Sequence, residues 1–407
     1  MKRAGAACFL LVCAASVTGE EDWPQWLGPT RDGVAAGRPP ARWPEQLTQR
    51  WTFASDPGAS SPIVAGGLVF LQGRTAKEET VVAVDLETGA EAWRWRQPLT
   101  AEFHREGLEF APASTPCFHK GRVYVHSVNS ALVCVEAKTG RELWKRDFKA
   151  EPKRKGPLYG PAASPVVVNG AVVLPVGDGN GGWVTAFDVE SGATAWEVAG
   201  TAPGYGSPVV AKLGDDDHLL VFGLGDLRGL VQKNGSYVKA WEYPFRAGEG
   251  NQSTPAVLGK DTFVITHERE TRALRVARHE GEWKVDLAWE SDFNGNMATP
   301  HVFDGRVYLH AQRKLLCLSG ESGEVLSRLK LPGRYCSLAR LDATLLCLSH
   351  EGKLTVVDAA KPEMRVLAEY SAMNGEVWSH LAVAGGNLLV RGRGQLRCYT
   401  WEPGNGR

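Results

Sequence analysis

The segment Ala83-Val84-Asp85-Leu86-Glu87-Thr88-Gly89-Ala90-Glu91-Ala92-Trp93 decides the fold. Strand-like residues run into an aspartate, a Thr-Gly pair follows, and a second strand delivers a tryptophan. Glycine at the turn tolerates the positive φ that a tight reversal needs. The same eleven positions recur from Cys134 to Trp144 and from Ala186 to Trp196, with looser copies ending at Trp241 and Trp289. In the two close copies Gly140 and Gly192 hold the turn, and Glu136 and Asp188 stand where Asp85 does. The flat tryptophan is expected to pack between neighbouring units, supplying apolar area that adjacent sheets share. The sixth to eighth units carry no tryptophan at this point of the pattern.

Outward from this motif lies a longer period. Ser61-Pro62, Thr115-Pro116, Ser164-Pro165, Ser207-Pro208, Thr254-Pro255 and Thr299-Pro300 each open an apolar run, and degenerate copies follow at Ser337 and Ser379. Each unit then holds a turn such as Asn169-Gly170 or Asp304-Gly305, a second strand (RVYVHS, RVYLH), a third, and a fourth. Four short β-branched strands repeated eight times predict an all-β chain: an eight-bladed β-propeller of four-stranded antiparallel blades. Units this short cannot bury cores of their own, which argues against a string of small sandwiches. The last unit supplies three strands, and Gln49–Phe53 reads as the missing fourth. The ring, spanning 49–403, is therefore expected to close by an N-terminal strand joining the last blade, which removes open edges.

Lys+Arg and Asp+Glu are both 46, so no basic excess exists to hold a polyanion, and nucleic acid is excluded as a partner. Residues 1–19 read as a secretory signal peptide: Lys2 and Arg3, an apolar run from Ala6 to Ala15, then Val17-Thr18-Gly19 as the cleavage site. Export to the periplasm or cell envelope follows. The apolar run is too short to span a bilayer, and no other segment reads as transmembrane. Leu10-Leu11-Val12-Cys13 approaches a lipobox, but Val12 suits that position poorly, so no lipid anchor is assigned. Residues 20–48 form an N-terminal extension. Six cysteines follow the signal, at 117, 134, 317, 336, 347 and 398, and their 15 pairings stay open. Cys317, Cys347 and Cys398 lie in apolar runs and read as small buried hydrophobes. No metal-ligand spacing occurs, so no zinc is assigned.

The Ala83–Trp93 motif and its copies resemble the tryptophan-docking repeat of the PQQ-like (pyrroloquinoline-quinone-type) β-propellers, with Asp85, Gly89, Trp93, Gly140, Trp144, Asp188, Gly192, Trp196, Trp241 and Trp289 as its structural positions. The opening Asp22-Trp23-Pro24-Gln25-Trp26-Leu27-Gly28-Pro29-Thr30-Arg31-Asp32-Gly33 is similar to that of exported members. One branch of the family, the quinoprotein dehydrogenases, implies a quinone held over calcium and an acidic base. This chain has neither the adjacent cysteine pair many of them carry nor a haem-attachment CxxCH, and no calcium-ligand set maps onto it. The other branch resembles the propeller subunit of the outer-membrane β-barrel assembly machinery, an eight-bladed scaffold without cofactor, and blade count, length and export signal agree better with it. The resemblance therefore implies a non-enzymatic scaffold for an envelope protein or polymer, with no cofactor. The alternative is a PQQ-dependent dehydrogenase using PQQ and calcium, or a degenerate relative of one.

Binding residues are sought on the face made by the interblade loops and the loops between second and third strands. These loops offer Arg74, Asn129, Asp178, Asn180, Asp226, Arg228, His267, Arg269, His310, Arg313, His350, Arg391 and Arg393. Longer loops at 97–114 and 149–163 add His104, Arg105, Lys153, Arg154, Lys155 and Tyr159. Solvated loop tips account for most of these. His126 and His310 end equivalent second strands, with His267 and His350 one or two positions away. Convergence on the axis would make a metal or acid–base cluster, but a one-residue shift sends a strand side chain to the opposite face. The run Asp178-Gly179-Asn180-Gly181-Gly182 reads as a hairpin turn rather than a calcium loop. No nucleophile elbow or metalloprotease motif appears, and no catalytic residue is assigned.

Overall fold

The structure, a computed structural model, describes residues 21–100, 111–148, 161–178, 181–200, 202–244, 253–267, 269–295 and 297–402. Residues 1–20, which cover the segment read as a signal, Asn180, and the loop residues His104, Arg105, Lys153, Arg154, Lys155 and Tyr159 lie outside the described residues. Thirty-two strands form eight four-stranded antiparallel sheets among the described residues. Blades 1 to 7 span 63–98, 117–147, 166–200, 209–244, 256–291, 301–330 and 336–371. Blade 8 takes three strands from 382–400 and its outermost one, Thr48–Ala54, from the other end of the chain. There Trp51 faces Cys398 and Phe53 faces Leu396, so the ring closes as the repeat count required.

The middle strands are apolar on both faces because each blade is sandwiched between two others. Thr344–Ser349 (TLLCLS) is buried at every position, whereas the outer strand Val325–Lys330 alternates half-buried and exposed. Blades 1 and 2, for example, share a core of Ile63, Phe70, Val81 and Ala83 against Phe118, Val123, Val125 and Val133. All six described cysteines are buried.

In every blade the register between the third and fourth strands slips at one point, as between Ala83 and Val84 or between Gln49 and Trp51. A bulge there sharpens the twist and re-aims the side chain opposite it. In blade 1 that side chain is Trp93, which lies flat on Gly140 of blade 2 and donates its indole N–H to Ala137 O at 2.9 Å. Trp144 repeats this on Gly192 with Val189 O at 3.2 Å, and Trp289 on Gly323 with Gly320 O at 2.8 Å. Asp85 builds the receiving turn of blade 1 by accepting the Thr88 N–H and hydroxyl, both at 2.8 Å, and Asp188 does the same with Ser191. These hydrogen bonds hold both carboxyls below the usual aspartate range.

One expectation about the tryptophans needs correction. The eighth blade does not lose its tryptophan: Trp51, brought by the closing strand, packs on Gly89 and donates to Leu86 O at 2.9 Å. Trp241 lies over Gly229 of its own sheet, donates to His218 Nδ1 at 3.1 Å and stacks on Phe263 of blade 5, 5.8 Å between rings. Blade 5 turns at Glu280-Gly281 between His279 and Glu282, a tighter reversal than Thr-Gly loops make, so no docking turn faces it. Trp196 rests on Tyr237 of blade 4, 5.0 Å between rings.

Candidate functional site

The repeated Ser/Thr stands at the entry to each innermost strand, and several of these residues tie neighbouring blades together around the axis. The amide of Ser61 donates to Thr115 Oγ1 at 3.1 Å, that of Thr115 to Ser164 Oγ at 2.9 Å, and that of Ser164 to Ser207 Oγ at 3.0 Å. Thr254 donates likewise to Thr299 Oγ1 at 3.1 Å, and the His380 amide donates to Ser61 Oγ at 2.8 Å. The proline that follows has no N–H to leave unpaired beside this ladder.

The axis inside this ring is filled by the chain's own N-terminal arm. Trp23 exchanges both backbone hydrogen bonds with Val64 of blade 1, at 2.9 and 2.8 Å. Pro24 O accepts from Phe118 N of blade 2 at 2.8 Å. Trp26 reaches across to donate to Thr254 Oγ1 of blade 5 at 2.9 Å and meets His380 of blade 8 edge-on at 5.3 Å. Arg31, 4% exposed, donates to Pro165 O and Ser164 O of blade 3, at 3.0 and 3.3 Å. Gly33 lies against the His301 ring of blade 6, where any Cβ would overlap Nε2. Arg340 of blade 7 brackets the arm's far end, its amide donating to Gly33 O and its carbonyl accepting from Ala35 N, both at 2.8 Å. Seven blades thus hold one short segment. Burial pushes Arg31 down to about 10, His301 to about 3 and His380 to about 4.

On the loop face most of the polar residues singled out in the sequence are engaged within the protein. Arg391, 1% exposed, donates to Ser60 O, Gln72 O and Asp56 O, and so clasps blade 8 to the linker entering blade 1. Arg74 donates to Ala111 O at 3.0 Å, and Asn129 bridges Thr100 N and Pro98 O. Asp226 and Arg228 form a buried pair at 2.5 Å. Glu270 takes His267 at 3.1 Å and Arg272 at 2.5 Å. The strands flanking Asp178-Gly179-Asn180-Gly181 meet at Asp178 and Gly181, a hairpin. Arg269, Arg313 and Arg393 are exposed.

The four histidines do not converge on the axis. His126 is buried against Ala163 O at 3.0 Å, and His267 belongs to the Glu270 pair. Only His310 and His350 are neighbours, with burial pushing His310 to about 4. His350 Nδ1 accepts from Arg334 N at 3.1 Å, and its ring lies 5.6 Å from that of half-buried Trp378.

A further buried acid escaped sequence reading. Glu79, wholly buried between blades 1 and 2, accepts from Gln72 (2.7 Å), Gln97 (2.6 Å), Ser127 and Val128 N (3.0 Å). With all its acceptor capacity filled, it works as an interblade bolt. Among the described residues no three His, Cys, Asp or Glu side chains gather where they could hold a metal ion. Calcium over a quinone needs six to eight oxygens, and Glu79, Asp226 and Glu270 are already committed to protein donors.

Comparison with known proteins gives two kinds of relative. The family model described as outer membrane protein assembly factor BamB matches residues 77–326. The quinohemoprotein alcohol dehydrogenase ADH-IIG of Pseudomonas putida is 33% identical over 167 residues, which is 39% of this chain and 22% of that enzyme. Among solved structures, the quinohemoprotein alcohol dehydrogenase of Comamonas testosteroni superposes with a TM-score of 0.69 at 14% identity, covering 95% of this chain and 82% of that one. BamB from Moraxella catarrhalis gives 0.62 at 14% identity, covering 89% and 99%. At such identities the superpositions establish the fold, which both kinds of protein share.

Proposed function

The chain belongs to the family described as outer membrane protein assembly factor BamB, and from that premise we propose that it is an exported, non-catalytic scaffold of the cell envelope. Its loop face meets a protein or polymer partner, while its axis is filled by the arm. The observation that carries this reading is the use of the buried polar side chains. Glu79, Asp226–Arg228 and Arg391 are spent on joining strands and blades, and half-buried His267 and Glu270 are spent on each other. A catalytic centre needs groups poised to act on something else.

The second reading, a quinone-dependent dehydrogenase or a degenerate relative, draws on the 33% identity with the Pseudomonas putida enzyme. The matched stretch is about a fifth of that enzyme's length, and its activity belongs to the whole. Calorimetric titration of the purified protein with pyrroloquinoline quinone, with and without calcium, separates the two. The scaffold reading expects no saturable heat. Tight binding that depends on calcium would overturn it and call for assays of alcohols and sugars with an artificial electron acceptor.

A further inference from the structure

The outer strand of blade 7, Arg365–Ser371, ends its sheet, so one row of its backbone N–H and C=O groups has no neighbouring strand. The N-terminal extension runs beside it without pairing. Among the described residues no backbone hydrogen bond joins the two, and Pro39, Pro40 and Pro44 have no N–H to offer. Instead the Tyr370 hydroxyl donates to Pro44 O at 2.7 Å. Between extension and strand lies a groove of about 430 Å³, which continues for about 280 Å³ more; Glu45, Glu369 and Tyr370 line both parts. Leu367, Ala368, Glu369 and Tyr370 all line the first. Successive strand side chains point to opposite faces, so a wall of four in a row is the strand's edge and not one of its faces. The outer strands of other blades are edges too; here the extension supplies a second wall.

Three features of the groove point to what fills it. Trp43, 9% exposed and packed on Trp401 at 5.4 Å, lines it with a buried indole N–H that has no acceptor among the described residues. A buried donor left without a partner is costly. Leu367 stands 39% exposed at the point where the register slips, and Val366 beside it is as exposed. Glu45 and Glu369 are exposed, form no ion pair among the described residues, and stand where the two parts of the groove meet. Arg42, the cation in the lining, flanks the first part alone. An extended peptide answers all three. Its backbone completes the open ladder, one of its carbonyls accepts from the indole, alternate apolar side chains cover Leu367, and a lysine or arginine meets the two carboxylates. A polysaccharide has no row of amides with which to pair a strand edge.

We infer that this groove takes an extended segment of a partner protein, added as a fifth strand to blade 7 with a basic side chain between Glu45 and Glu369. This rests on the scaffold reading and adds a second contact surface, on the rim, to the loop face. The probe is a fluorescein-labelled peptide matched to the seven residues of the strand, alternating valine and threonine around a central lysine. Its binding to the full chain is followed by fluorescence polarisation. The peptide is expected to bind, and glutamate in place of its lysine should weaken binding at least about tenfold. N-methylation of one alternate set of its amides should abolish binding, and of the other set should leave it, because a strand pairs through one edge. Leu367→Lys and Glu369→Lys, both at exposed positions, should weaken it without moving Tm. Trp43→Phe, which keeps a ring and removes the N–H, should weaken it too. No binding at millimolar peptide, binding indifferent to both N-methylated sets, or binding that survives both lysine substitutions refutes the site. Dimers in sedimentation velocity that Leu367→Lys dissolves would give the groove to a second copy and overturn it as well. The quinone titration separates the two failures: a silent peptide with a silent quinone removes this groove and leaves the scaffold, whereas calcium-dependent quinone binding removes the scaffold reading itself.

Discussion

At the scale of single residues, the docking tryptophans show how side-chain shape becomes ring stability. A tryptophan lies flat only where the neighbouring turn has no Cβ, so Gly89 and Trp51 act as one contact. At Gly89 φ is +74° and a Cβ would stand 2.6 Å from the Trp51 ring. Trp51→Ala should cost about 3–5 kcal/mol in urea unfolding, and Gly89→Ala should also destabilise, since it combines backbone strain with a clash. Because both substitutions break the same contact, the double variant should cost clearly less than their sum; strict additivity would mean that the two residues act separately. Arg391 is a second such point. Replacing it with methionine leaves three carbonyls without their donor and should cost about 1–3 kcal/mol, read as an earlier urea midpoint with the m-value unchanged.

Among the elements, the N-terminal arm is the one that sequence pattern could not place. The strands announced themselves through period-two alternation and the 43–54-residue spacing of Ser/Thr-Pro. The segment Trp23–Ala35 has no period, and its partners are scattered from Val64 to His380. Nothing local encodes such contacts. The composition of the segment, two tryptophans, an arginine and two glycines in thirteen residues, was a signal only of packing against something. Trp51 was misread for a related reason: its strand lies at one end of the chain and the rest of its blade at the other. The loop-face residues were legible as polar and as loops, but whether an arginine clasps a backbone or faces solvent depends on the neighbouring blade. The arm's role can be checked by hydrogen exchange. Trp23→Ala combined with Trp26→Ala should deprotect the amides of Val64, Phe118 and Arg340, which donate to the arm, while second-strand amides stay protected. Unchanged protection of those three would show that the arm does not secure them.

For the whole molecule, the acid limit of stability follows from its dry histidines. Burial pushes His126, His218, His310 and His380 to about 4 and His301 to about 3. Unfolded, each titrates near 6.5. Between these values the unfolded chain holds protons that the folded one refuses, so stability is full above about pH 6.5 and is lost as pH falls toward 4. Each histidine contributes a slope of about 1.4 kcal/mol per pH unit within that window. Melting curves from pH 7.5 to 4 should show Tm falling steadily below 6.5, and replacing His310 with glutamine should flatten the slope by roughly one proton. A Tm level across this range would mean that the histidines are hydrated. The chain's two ends also bind each other through Thr48–Ala54 and Gln395–Thr400, and this has a consequence in time. Residues 21–54 leave the ribosome long before the strands they join, and the surfaces that receive them are not complete until residue 400 has been made. An early-made stretch is thus the last to find its place, and its tryptophans must be kept from other partners for the whole interval between.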